Sequence, residues 1–85
     1  MRLDKFLKVS RLIKRRTVAK EIVDAGRVKV NGRIAKPGNE VGVGDRLEIG
    51  FGQRLVSAEI VEIRETVRAE EAASLYRILE GAPIE

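Results

Sequence analysis

Residues 18–36, VAKEIVDAGRVKVNGRIAK, carry a change of period that decides the fold. Up to Ala25 the apolar residues Val18, Ala19, Ile22 and Val23 recur at the spacing of one helical stripe. Gly26 then suits the left-handed residue that follows a helix C-terminus. From Val28 the period is two: Val28 and Val30 alternate with Arg27 and Lys29. Asn31-Gly32 supplies the positive-φ pair of a type I′ turn, and Arg33-Ile34-Ala35-Lys36 returns. The spacing predicts a helix that runs directly into a β-hairpin.

Upstream, from Arg2 to about Lys14, the residues Leu3, Phe6, Leu7 and Ile13, with small Ser10 between them, follow a helical face. Lys8, Arg11 and Arg15 fall on the opposite side if the helix extends that far. Leu12 lies nearer the basic side and is expected to touch a neighbouring element. Thr17 reads as the N-cap of the second helix, beginning at Val18, so that the two helices form an αα-hairpin joined at KRRT, residues 14–17.

Downstream, Pro37-Gly38 opens a loop and Val43-Gly44-Asp45 reads as a turn. Arg46-Leu47-Glu48-Ile49 resumes the alternation, Gly50-Phe51-Gly52-Gln53 interrupts it, and a further strand is expected from about Leu55 to Ile63. Thr66 reads as the cap of a last helix with Ala69, Ala72, Leu75, Tyr76 and Leu79 as its apolar stripe. Glu70 and Glu71 near its start and Arg77 near its end suit the helix dipole, and Gly81 with Pro83 stops it. The expected class is α+β: an αα-hairpin, then a small, mainly antiparallel sheet, with a C-terminal helix. Residues 1–64 would form the main domain with its sheet extension, and residues 65–85 a C-terminal helical extension.

A chain of 85 residues makes one small domain, and 44% apolar with 35% charged residues of mixed sign is the composition of a globular protein. There is no Cys and no His, which removes disulfides, thiolate chemistry, and the commonest general base and metal ligand. Glu70-Glu71 and the pair Glu62 and Glu65 read as solvated faces. The expectation is a non-enzymatic protein with no cofactor and no metal. No apolar run approaches the roughly 18 residues of a membrane span, and Met1-Arg2-Leu3-Asp4 does not read as a signal segment. A cytoplasmic protein without a membrane partner is expected.

Charge is divided unevenly along the chain. Residues 1–36 hold 12 Lys/Arg against 3 Asp/Glu, whereas residues 37–85 hold 5 against 10. A polyanion-binding face in the first half explains that polarity better than scattered solubilising charge. Arg2, Lys8, Arg11, Lys14, Arg15, Arg16, Lys29, Arg33 and Lys36 are the candidate contacts, drawn from both helices and the hairpin on the expectation of one surface. Guanidinium forks match phosphate oxygens in pairs. Asp4, set among these cations, reads as a support that caps its own helix or holds Arg11 or Arg15. Asn31 reads as a turn residue. With Phe6, Phe51 and Tyr76 as the only aromatics, base stacking has few platforms, so phosphate and shape recognition of structured RNA is favoured over base reading. A helix-turn-helix DNA reader is the competing class, but Lys20, Glu21 and Asp24 are poor base-reading residues.

RLDKFL at residues 2–7, RTVAKEIVDAG at 16–26, VKVNG at 28–32 and VGDRL at 43–47 stand in a familiar order. Residues 1–50 closely resemble the S-four RNA-binding domain, named for a primary rRNA-binding protein of the small ribosomal subunit. The resemblance implies the αL-type RNA-binding motif, in which the two helices and the hairpin edge face RNA. Arg2, Arg11, Arg15 and Arg16 match the family's RNA-facing positions, with Arg16 foremost and Lys8 and Lys14 as supports. Through FGQRLVSAEI at 51–60 and EEAASLYRIL at 70–79, the chain is similar to free-standing members of bacterial ribosome-associated quality control. That similarity implies binding to the obstructed large ribosomal subunit, between large-subunit rRNA and the P-site peptidyl-tRNA. It also implies support of RqcH-dependent C-terminal alanine tailing, by a protein that is monomeric off the ribosome. The alternative within the family is the heat-shock type that recycles dissociated large subunits. Its members typically carry a longer basic tail, where this chain turns acidic.

Overall fold

The first helix, α1, spans Leu3–Val9, and the chain leaves it sooner than the apolar spacing suggests. Arg11 adopts a left-handed φ of 58°, which turns the backbone and drives Leu12 and Ile13 into the core, 0% and 1% exposed. Ser10, itself buried, accepts the Leu12 N–H on its hydroxyl at 3.3 Å. Leu12 thus breaks the helical pattern because it is no longer helical. A computed structural model describes residues 1–84 of the chain.

The second helix, α2, spans Arg16–Asp24, with Arg15 as its N-cap and no side-chain capping bond. Thr17 therefore lies inside the first turn and is not the cap. The other end follows expectation. Gly26 has φ 74°, its N–H bonds the Val23 carbonyl at 3.0 Å, and the Arg27 N–H bonds that of Ile22 at 3.1 Å. These paired bonds satisfy carbonyls that the helix end leaves open.

Strands β1 (Val28–Val30) and β2 (Arg33–Ile34) form the expected hairpin, with Asn31 and Gly32 both at positive φ. The Asn31 side chain does more than turn the chain. It donates to Asp45 Oδ1 at 3.0 Å and accepts the Arg46 N–H at 2.9 Å, tying the hairpin tip to the next strand. Strand β3 runs Arg46–Phe51 and β4 runs Arg54–Ile60, so Gly50 and Phe51 belong to the ladder and the turn is the pair Gly52-Gln53.

The last expected helix is present only in part. A 3₁₀ helix covers Ala69–Leu75, starting after Arg68 and not at Thr66, and Tyr76–Glu80 is strand β5. Tyr76–Glu80 pairs antiparallel with β4, which would otherwise offer an open edge, and the ladder outweighs the local helical pattern. The antiparallel sheet has the order β2-β1-β3-β4-β5.

One face of the sheet presents Val28, Leu47, Ile49, Val56, Ala58 and Ile60 to Leu3, Phe6 and Leu7 of α1 and Ala19, Ile22 and Val23 of α2, in one buried cluster. Among the described residues no helix is long and apolar enough to cross a membrane.

The chain leaves β5 through Gly81, at φ 80°, where an added Cβ would lie 2.3 Å from the Leu55 carbonyl oxygen. Gly81→Ala must both strain the backbone and push β5 off β4. A left-handed alanine alone costs about 1–2 kcal/mol, so the thermal midpoint is expected to fall by about 5–15 °C. Circular dichroism melting measures it, and an unchanged midpoint would refute this packing.

Candidate nucleic-acid interface

The helical hairpin opens a groove of about 730 Å³ lined by Arg2, Asp4, Lys5 and Lys8 from the α1 side, Arg16, Thr17, Ala19 and Lys20 from α2, and Pro37. Five of these nine residues are cationic and one is acidic. Helical spacing explains the collection. Arg2, Lys5 and Lys8 follow one another at intervals of three, and Arg16 and Lys20 are four apart, so each set rises on one side of its helix.

Arg2, Lys8 and Arg16 are thus brought together as expected. Lys5, Thr17 and Lys20 join them without having been among the candidate contacts, although the sequence sets both lysines at the same helical spacing. Arg11, Lys14 and Arg15 are exposed on the turn between the helices, beside the groove's Arg16 in the chain. Lys36 is exposed and directly precedes groove residue Pro37.

The hairpin divides the remaining two candidates. Arg33 pairs with Val30, which packs against the core, so it lies on the helical side of the edge strand. Lys29 pairs with Ile34 and Glu48 on the opposite face of the sheet. Alternation along β1 buries Val28 and so turns Lys29 away. The expected single surface does not include Lys29.

Carboxylates organise the groove. Asp4 Oδ1 accepts from Arg2 Nε at 3.2 Å and from the Lys5 N–H at 2.8 Å, and Oδ2 accepts from Arg2 Nη2 at 3.3 Å. Asp4 thus caps a first-turn donor of its own helix, as expected, and the arginine it holds is Arg2, not Arg11 or Arg15. The fork lies beside Gly38, where an added Cβ would stand 3.6 Å from Arg2 Nη2. Lys5 donates to Glu65, which reaches across from the segment after β4. The hydrogen bond from Lys5, and then its positive charge, hold the Glu65 carboxyl below its ordinary value of 4.5. That pair forms above the carboxylate range and is lost as pH falls through it; being exposed, it adds little to stability.

Loop 37–39 shapes the mouth of the groove. The Leu3 N–H bonds the Asn39 carbonyl at 2.8 Å and the Asp4 N–H bonds that of Pro37 at 3.1 Å. Backbone carbonyls thus cap the Leu3 and Asp4 N–H groups at the start of α1, where the N-cap residue Arg2 makes no side-chain capping bond, and Asp4 takes the next donor, Lys5. Thr17 and the neighbouring cations supply donors, and the groove holds no imidazole or thiol. Such a lining, rich in cationic donors, has the chemistry to attract an anion.

A cationic groove between two short helices, carried on one face of a small antiparallel sheet, defines a class of polyanion-binding module. The chain belongs to the S4 domain family, whose model matches residues 1–47. It is 61% identical over 84 residues to the RQC P-site tRNA stabilizing factor of Halalkalibacterium halodurans, covering 99% of this chain and 96% of that protein. The protein of the same name from Bacillus subtilis is 57% identical over 79 residues, covering 93% of this chain and 92% of its own. Among solved structures, the trimeric heat shock protein 15 of Vibrio cholerae superposes with a TM-score of 0.80 at 37% identity, over 92% of this chain and 80% of that one.

Proposed function

We propose that the protein is a non-catalytic RNA-binding factor of ribosome-associated quality control. It grips large-subunit rRNA and the P-site peptidyl-tRNA on the obstructed large ribosomal subunit. In that position it supports RqcH-dependent C-terminal alanine tailing of the stalled chain, the role expected of an RqcP-type factor. The observation that carries this reading is the groove: five cations from two helices, with Asp4 and Glu65 as the carboxylates bonded into it. Near full-length similarity to proteins named as stabilizing P-site tRNA supports the choice of partner.

A second reading follows from the superposition on heat shock protein 15. It makes the protein a recycler of dissociated large subunits. The two differ in what should accompany the protein from a cell. Affinity purification of the tagged protein is expected to recover large subunits that carry peptidyl-tRNA, together with RqcH, in preference to whole ribosomes. Recovery of large subunits without RqcH, or alanine tailing unchanged on deletion of the gene, would favour the heat-shock reading. Recovery of no ribosomal RNA would defeat both.

A further inference from the structure

We propose that Ile84 is a positioning residue for the basic turn between α1 and α2, the Pro83-Ile84 segment acting as a strap that holds this turn in its binding geometry. The proposal rests on the RNA-binding reading above. Its origin is a contact far apart in sequence. The Ile84 N–H donates to the Leu12 carbonyl at 2.7 Å, and the Lys14 N–H donates to the Ile84 carbonyl at 2.9 Å. Together they form a parallel bridge between Ile13 and Ile84, outside the main sheet. The Ile84 side chain is 0% exposed and belongs to the same core as Leu12 and Ile13.

The turn needs such a hold. Residues 10–15 belong to neither helix; the helical ladders reach the ends of the stretch, through the Ser10 and Arg11 N–H groups and the Arg15 carbonyl, and the bonds to Ile84 fall between those ends. Arg11 sits at φ 58°, a conformation that residues with a Cβ keep only where their surroundings over-determine it. The next residue, Leu12, is the one whose carbonyl the strap engages. Cations stand on both sides of the anchored stretch: Arg11 before it, and Lys14, Arg15 and Arg16 after it. Forked hydrogen bonds to phosphate depend on where the backbone sets each guanidinium, and a mobile turn would have to be ordered on binding at a cost in affinity. Gly81, at positive φ, is what redirects the chain from β5 toward the turn. The segment after the sheet thereby acts on a site built in the first quarter of the chain.

The test compares Ile84→Ala and Ile84→Val with Val56→Ala, a cavity of similar kind within the sheet core. Amide hydrogen exchange and binding to unfractionated tRNA are read on each. Ile84→Ala is expected to speed exchange at Lys14 by about tenfold more than at the β3 and β4 amides. It should also weaken tRNA binding by about three- to tenfold at roughly 50 mM salt. Ile84→Val should shift both in the same direction by much less, and Val56→Ala should change neither selectively. If Ile84→Ala does not fold, smaller shifts of the same kind in Ile84→Val carry the comparison. Exchange that rises uniformly across the molecule, or a loosened turn with unchanged affinity, would overturn the strap. Failure of the unaltered protein to bind tRNA would instead overturn the RNA reading beneath it.

Discussion

Arg16→Glu is expected to weaken association with the large ribosomal subunit by about ten- to hundredfold, the range of one charge-assisted hydrogen bond replaced by repulsion. Arg16 stands at the first position of α2, exposed, on the groove. Its loss removes a guanidinium fork from the groove's lining, and the new carboxylate would repel the phosphates that the proposed function places there. Misfolding would not explain the result. The first turn of α2 contains no acidic residue, and a carboxylate there interacts favourably with the helix dipole. The thermal midpoint should therefore stay the same or rise while binding falls. Circular dichroism melting measures the first part, and sedimentation of the variant with purified large subunits at several salt concentrations measures the second. Arg16→Ala should flatten the dependence of log affinity on log salt by about one unit. Normal co-sedimentation of Arg16→Glu would remove the groove from the function.

Phe6→Ala should have the largest effect on the fold. Phe6 is fully buried, on the α1 face that meets α2 and the sheet. Its truncation costs about 3–5 kcal/mol through lost transfer energy and the cavity left behind. At roughly 0.05–0.15 kcal/mol per residue, a chain of 85 residues has a total stability of that same order. The variant is expected to melt about 15–30 °C lower, or to be largely unfolded at growth temperature. Leu79→Ala is the comparison, because Leu79 on the edge strand is 45% exposed and should shift stability by only about 0.5 kcal/mol. Near-equal melting of the two variants in circular dichroism would contradict the packing of the helices on the sheet.

Patterns of short range were legible because their causes are local. The alternation from Val28 to Val30 with Asn31-Gly32 needs only neighbouring residues to define a hairpin, and Gly26 needs only its own φ to end α2. Helical spacing converts position into direction, and it placed Lys8 with Arg11 and Arg15 on one face, a grouping that ends with α1 at Val9; Arg2 and Arg16 were candidates through local charge and the family resemblance. The same spacing makes Lys5 and Lys20 readable in retrospect.

Misreadings arose where a distant partner outweighed a local preference. Tyr76–Glu80 carries part of a helical stripe, yet the open edge of β4 takes it as a strand. The apolar spacing through Ile13 suggested a continuous first helix, but burial of Leu12 and Ile13 beside Ile84 favours the left-handed turn at Arg11. Thr17 is a good cap by type, and α2 begins one residue before it.

Local chemistry in the chain thus determined the order of helix, helix and hairpin, the excess of cations in the first 36 residues, and the kind of ligand those cations attract. Periodicity, turn chemistry and charge act between residues close in the chain, so they can be read along it. Tertiary structure decided which cations share the groove, that Lys29 faces away from it, that Asp4 orients Arg2, and that Ile84 reaches the basic turn. Those outcomes depend on which surfaces meet when the core is buried, and burial energy is set by contacts between residues that the sequence places far apart.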